Sequence, residues 1–262
     1  MLPVSATNSL IQAPRLPPLL QSAAESRHLV ESALPTLGFE LTGTQIDALL
    51  AYLALISKWT RVYNLTAVRD PVEMVTHHLL DCLAAMAPLA AHLEAARHHS
   101  ALPDHAPTPS AQAGHGSRLL DVGSGAGLPG VVIAICFPGA SVTCVDTVAK
   151  KVAFIKQVAL TLKLPNLIGL HARIEALASP TLPPFDIICS RAFASLADFT
   201  RWSAGALAPA GVWMAMKGKR PEEEMAALPR GTEVFHVEQL KIPALDAERC
   251  IVWIRKRADL SS

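Results

Sequence analysis

The sequence predicts an α/β protein with a mostly parallel open sheet, an antiparallel closing strand and a helical region in front of it. Three observations carry this reading. Residues 117–131 (SRLLDVGSGAGLPGV) set Gly123, Gly125 and Gly127 at every second position between a short apolar run and a longer one. The second half of the chain alternates strand-like and helix-like patterns, the signature of βαβ units. Asp146 closes the second strand-like run, 19 residues after Gly127, where a Rossmann-like fold places a carboxylate for ribose hydroxyls.

In chain order, residues 1–24 contain Pro3, Pro14, Pro17 and Pro18 and read as a flexible extension. A helical region follows over 25–92. Its first helix is expected over 25–34, stopped by Pro35 and Gly38. Thr42 and Gln45 have capping-box spacing, and Ile46, Leu49, Leu50, Leu53 and Ile56 then form an apolar stripe to about Trp59. Asp70-Pro71 opens another helix, with Val72, Met74, Val75, Leu79, Leu80, Leu83 and Met86 expected inward. His77 and Asp81 are four apart and share a helical face, expected to be solvated. Residues 93–116 read as a flexible insertion. His92, His98, His99, His105 and His115, five of the ten histidines, fall in or beside it.

The α/β domain is expected over 117–262. Its strands are Leu119–Val122, Ser141–Asp146, Leu167–Leu170, Phe185–Ser190 and Val212–Met216, closed by Thr232–Ile242 and Arg249–Ile254. Residues 131–135 open an apolar segment long enough for a buried helix, and further helices are expected over 150–164, 195–208 and 221–228. In open α/β sheets the ligand lies beyond the C-terminal strand ends, which puts Arg191 in position for chemistry.

The glycine turn fits two ligands, a dinucleotide or S-adenosylmethionine, and the helix after it is expected to aim free N–H groups at whichever binds. The G-x-G-x-G spacing departs from the dinucleotide fingerprint by one residue. The chain has 51% hydrophobic and 17% charged residues and a net charge of +1. The balance is −3 over 1–116 and +4 over 117–262, so the basic excess lies in the domain with the glycine turn. Five scattered cysteines without a C-x-x-C pair read as buried thiols in a reducing compartment. With no basic leader and no run of 18 apolar residues, the setting is expected to be cytoplasmic, away from any membrane.

Four segments resemble the bacterial 16S rRNA guanine-N7 methyltransferase family, also called glucose-inhibited division protein B. They are YNLTAVRD (63–70) leading to HHLLDCL (77–83), LLDVGSGAGLPG (119–130), SRAFASLADF (190–199), and MKGKRPEEE (216–224) with PALDAER (243–249) behind it. The resemblance implies a class I S-adenosylmethionine-dependent methyltransferase fold and S-adenosyl-L-methionine as cofactor. It also implies methyl transfer to N7 of one guanine of 16S rRNA in the small ribosomal subunit. Cofactor contacts would fall on Gly123, Leu128, Ile174, Glu175 and Arg191; Asp146 is added from its spacing. Lys150, Lys151, Arg173, Lys217 and Arg249 become candidates for RNA phosphate or target-base contacts. Arg191 would organise the reacting pocket, and Phe193 could stack on the base. No metal is implied, and a monomer is expected.

The chain departs from the family pattern at His77, where members usually carry Arg, and at Cys250, where His is frequent. Two other readings stay open at this point. One is a nicotinamide-dependent dehydrogenase using the same turn and Asp146. The other is a non-catalytic ribosome-assembly factor that keeps the fold.

Overall fold

The computed structural model describes residues 18–100, 116–178 and 182–257. Seven strands form one sheet in the order β3-β2-β1-β4-β5-β7-β6. They are β1 (Arg118–Val122), β2 (Ser141–Asp146), β3 (Leu167–His171), β4 (Phe185–Arg191), β5 (Leu207–Lys217), β6 (Thr232–Leu240) and β7 (Arg249–Lys256). The first five run parallel, and β7 pairs antiparallel with both β5 and β6. The order reverses between β1 and β4, so the crevice for a ligand opens over the C-terminal ends of those two strands.

The helices are α1 (Pro18–Leu37), α2 (Gly43–Tyr63), α3 (Pro71–Met74), α4 (Asp81–Leu83), α5 (Met86–Ser100), α6 (Gly130–Cys136), α7 (Ala149–Thr161), α8 (Leu196–Ser203) and α9 (Glu222–Ala226). Along each central strand the side chains alternate between two cores. Leu119, Cys189 and Met214 face α1–α7, whereas Leu120, Ile188 and Trp213 face α8 and the 3₁₀ turn at Ile174–Leu177. The N-terminal helices therefore share one core with the sheet.

Several boundaries differ from expectation. Helix α1 begins inside the stretch read as an extension and continues past Pro35 to Gly38, whose φ is +62°. Pro35 falls in the last turn, where the missing N–H removes a single bond, and Val30, Ala33 and Leu37 hold the helix to the core. The capping box of α2 forms as expected, and Gln45 also donates to the Ile135 and Cys136 carbonyls at the end of α6. Asp70 caps α3 by accepting from the Val72 and Glu73 amides, at 2.9 and 3.0 Å. Val72 itself is exposed, not inward. Helix α5 runs on to Ser100, through the first part of the expected insertion; residues 101–115 lie outside the described residues, as do 1–17. Helix α8 is shorter than expected and β5 longer. Leu207 already pairs with Phe185, and the chain bulges over 208–211 before Val212 resumes pairing with Ile187. The helical stretch Val72–Ala96 is apolar enough by composition to cross a membrane, but Met74–Leu83 and Met86 are built largely into the protein core.

Candidate functional site

Between β1 and α6 the chain makes the glycine turn, and the turn is folded back onto β2. The Gly123 and Ser124 amides both donate to the Val145 carbonyl, at 2.9 and 3.2 Å. Asp146 completes the anchor: Oδ2 accepts from the Gly125 amide at 2.9 Å and Oδ1 from the Val148 amide at 2.8 Å. The carboxylate expected to meet ribose thus first shapes the turn, and each oxygen retains capacity for a further donor. The Lys151 ammonium stands 3.9 Å from Oδ2, and Lys150 is exposed beside it.

Gly123 sits at φ +66° with the Phe193 ring lying on it. A Cβ there would stand 2.4 Å from Phe193 Cδ2. Over Gly125, at φ +57°, an added Cβ would meet no heavy atom nearer than 3.9 Å. The turn is therefore packed shut at its first glycine and open at its second. From the other side, the buried Tyr52 hydroxyl of α2 donates to the Ala126 carbonyl at 2.6 Å.

The expectation of free helix N–H groups is met only in part, because the first two amides of α6 are taken up within the protein. The Gly130 amide donates to Asp121 Oδ2 at 2.9 Å and the Val131 amide to the Gly127 carbonyl at 2.7 Å. Asp121 is fully buried at the end of β1, and its Oδ1 has no hydrogen-bond partner. Burial pushes this carboxyl up to about 7, with the Gly130 amide and the Arg191 guanidinium pulling the other way. Between the ordinary carboxyl range and about 7 the folded protein holds a proton that the unfolded chain has released. Stability from Asp121 is therefore lost as pH rises through that window. Buried His78 acts oppositely: burial, then Arg191, hold it down at about 4, so its share falls as pH drops below the ordinary histidine value. Asp121→Asn is expected to remove the first slope only. In urea titrations at pH 5 and pH 8, the variant should gain on the wild type at the higher pH by a few kcal/mol, each pKa unit being about 1.4 kcal/mol. An equal difference at both values would mean that Asp121 is ionised throughout.

Ile174 is buried in the core beside Val122 and Val145, while Arg173 and Glu175 are exposed on the same 3₁₀ turn. Leu128 is buried against the N-terminal helices. Gly123, Asp146, Ile174 and Glu175 thus gather at the C-terminal ends of β1, β2 and β3.

Arg191 ends β4 and meets the N-terminal region. Residues 75–80 form a π-helical turn between α3 and α4, in which the Asp81 amide reaches the Thr76 and His78 carbonyls. The wider turn breaks the i, i+4 register, so His77 and Asp81 do not share a solvated face. Asp81 is 4% exposed. Its Oδ2 accepts from Arg191 Nη1 at 2.8 Å and its Oδ1 from Arg249 Nε at 2.7 Å. Arg191 Nη1 also donates to the His77 carbonyl at 2.9 Å. His78, buried beside them, contacts the Thr66 hydroxyl through Nε2 at 2.9 Å. Lys217, at the end of β5, is balanced by Glu224 at 2.8 Å. A cavity of about 440 Å³ lies over Asp81, Arg191, Lys217 and Arg249. Phe193 is not part of its wall; its ring turns to the glycine turn and packs edge-on against Phe199 and Trp202.

Sequence reasoning missed Asp81 and Tyr52. A lone carboxylate inside the apolar run LLDCLAAM was the available signal for the first, since such a charge is buried only with partners. Tyr52 sits on the apolar stripe of α2, where only its hydroxyl sets it apart. All five cysteines are buried free thiols, and burial pushes Cys82 up to about 12.

The family described as rRNA small subunit methyltransferase G matches residues 45–96 and 105–252. A ribosomal RNA small subunit methyltransferase G from Polaromonas naphthalenivorans is 63% identical over 229 residues, 87% of this chain and 95% of its own length. One from another Polaromonas strain, JS666, is 64% identical over 226 residues, covering 86% and 92%. Among solved structures, TrmN from Thermus thermophilus is similar over 70% of this chain and 53% of its own, with 20% identity and a TM-score of 0.47.

Proposed function

The chain belongs to the rRNA small subunit methyltransferase G family, and from that premise we propose that it methylates N7 of one guanine of 16S rRNA in the small ribosomal subunit. It is an S-adenosylmethionine-dependent methyltransferase acting on rRNA. The nicotinamide reading of the glycine turn is thereby set aside. The guanine, its N7 atom, the subunit as substrate and a cytoplasmic monomer are the proposed parts.

The residues present suit the cofactor. The turn is open over Gly125, and the buried Asp121 Oδ1 beneath it has no partner. Gly123, Leu128, Asp146, Ile174, Glu175 and Arg191 would hold S-adenosylmethionine, which supplies an electrophilic methyl on sulfur. Guanine N7 carries a lone pair and no proton, so the protein need not supply a general base. Its work is positioning, which is worth up to roughly 7–11 kcal/mol in well-oriented systems. Arg191, fixed by Asp81 in the cavity wall at the end of β4, is the group placed to hold the base while N7 stays free. Exposed Lys150 and Arg173 at the adjoining strand ends support RNA phosphate contact.

The observation that carries the reading is the pairing of the open glycine turn with an arginine-lined cavity at the neighbouring strand end. Small subunits from cells lacking this protein, incubated with radiolabelled S-adenosylmethionine, are expected to gain one methyl on a single 16S guanine, located by cleavage at 7-methylguanine. Cofactor binding without incorporation into subunits or free 16S rRNA would support the non-catalytic assembly-factor reading instead.

A further inference from the structure

The cavity beside Arg191 has a chemistry of its own. Its walls come from the π-helical turn and from the ends of β4, β5 and β7, so no single motif builds it. At its centre one buried carboxylate holds two guanidinium groups, from residues 110 and 168 positions away in sequence. Asp81 uses one oxygen for each. Arg191 spends Nη1 on Asp81 and on the His77 carbonyl, and Arg249 spends Nε on Asp81 and Nη1 on the Glu248 carbonyl. Among the described residues, Arg191 Nε and Nη2 and Arg249 Nη2 have no protein acceptor. Both arginines are partly exposed, at 21% and 27% of their side chains. Lys217 is balanced by Glu224, so the cluster of Asp81, Arg191 and Arg249 leaves one positive charge.

Two planar forks with spare N–H groups and one net positive charge suit a planar ligand that presents an acceptor. They do not suit one that presents another donor. The 6-position of a purine is where these cases divide. Guanine and hypoxanthine carry an O6 acceptor there, and adenine carries an N6 donor. In N7 methylation N7 itself must remain free, which leaves O6 as the neighbouring acceptor for a guanidinium. His78, at the cavity wall, is held neutral at physiological pH and adds no second charge.

We infer that this cavity receives the target purine by its 6-oxo group, and that Asp81 is the positioning residue that aims the Arg191 and Arg249 forks at it. The inference rests on the proposed N7 chemistry and adds the basis for choosing guanine over adenine. Both Asp81 oxygens are taken by the two guanidinium groups, so its part is to place them. It acts by denying the two guanidinium groups other rotamers, and its burial makes that hold strong.

The test is equilibrium competition with the whole protein saturated with S-adenosylhomocysteine, so that adenine cannot occupy the cofactor turn. Guanosine, inosine and adenosine monophosphates are the probes. Wild type is expected to bind the guanosine and inosine nucleotides at least about tenfold more tightly than the adenosine nucleotide, the lower range for one well-made pair to a base edge. Asp81→Asn, still saturated with S-adenosylhomocysteine, should reduce that preference to less than about threefold. Methyl transfer should lose substrate affinity, read as a raised KM for subunits. If Asp81→Asn does not fold, Arg249→Lys, which keeps the charge and loses the fork, should give the same loss of preference. Equal binding of the three nucleotides to wild type, no binding up to millimolar concentration, or an undiminished preference in both variants would overturn the inference. Those outcomes leave the methylation of subunits by wild type as a separate measurement. Absence of 7-methylguanine there, with the nucleotide preference intact, would instead reject the proposed N7 reaction.

Discussion

Arg191→Ala is expected to reduce methyl incorporation into small subunits by about 10²–10³-fold, the usual cost of removing one positioned donor from a reacting site. The same change should lower stability. Asp81 is 4% exposed, and breaking a buried ion pair by removing one partner costs roughly 3–5 kcal/mol. Arg249 still holds the other carboxylate oxygen, so the loss should sit at or below the low end of that range. The two effects separate in Arg191→Lys. An ammonium keeps the charge beside Asp81 but has no fork to share between Asp81, the His77 carbonyl and a ligand. Arg191→Lys should melt near wild type and still transfer methyl at least about tenfold more slowly, a change of about 1.4 kcal/mol in the barrier. Near-wild-type turnover in Arg191→Lys would show that only the charge matters and would remove the positioning role assigned to this residue.

Gly123→Ala should weaken cofactor binding by at least about tenfold, for two physical reasons that can be told apart. Residue 123 has φ +66°, which costs an L-residue roughly 1–2 kcal/mol. The new methyl would also stand 2.4 Å from Phe193 Cδ2, so the ring must leave the turn. Phe193 packs against Phe199 and Trp202, and moving it disturbs the core under β4 and α8. In the double variant Gly123→Ala/Phe193→Ala the clash is gone and the backbone strain remains. Binding of S-adenosylmethionine, measured calorimetrically, should therefore recover in part and not in full. Full recovery would assign the whole effect to the ring; no recovery would assign it to the backbone. Gly125→Ala is the companion case: it carries the same kind of backbone strain at φ +57° but meets open space. It should cost stability through that strain alone, displace no protein atom, and otherwise act on the ligand side.

What the sequence determined by itself is everything that depends on short-range pattern. Alternating apolar runs placed the strands, and β2 matches its expected range residue for residue, because side-chain period and turn residues are local properties. The capping box at Thr42 and the Asp70 cap were legible for the same reason. So was the gathering of Gly123, Asp146 and Arg191 at one end of the sheet, since a parallel βαβ order sends every strand's C-terminal end to the same side.

Tertiary structure alone decided how charges are spent. In sequence Lys217 and Arg249 are candidates for RNA contact, with no partner in view; the fold sets each against a carboxylate, Glu224 and Asp81. An α-helical period puts Asp81 on the solvated face with His77; one π-helical turn rotates it into the protein, against two arginines from β4 and β7. Helix α1 passed through Pro35 and β5 through its bulge because burial outweighed local preference. A local pattern fixes which face a side chain starts from, whereas the partner of a buried charge comes from another part of the chain. Over separations of 110 and 168 residues, only the folded sheet brings those partners together.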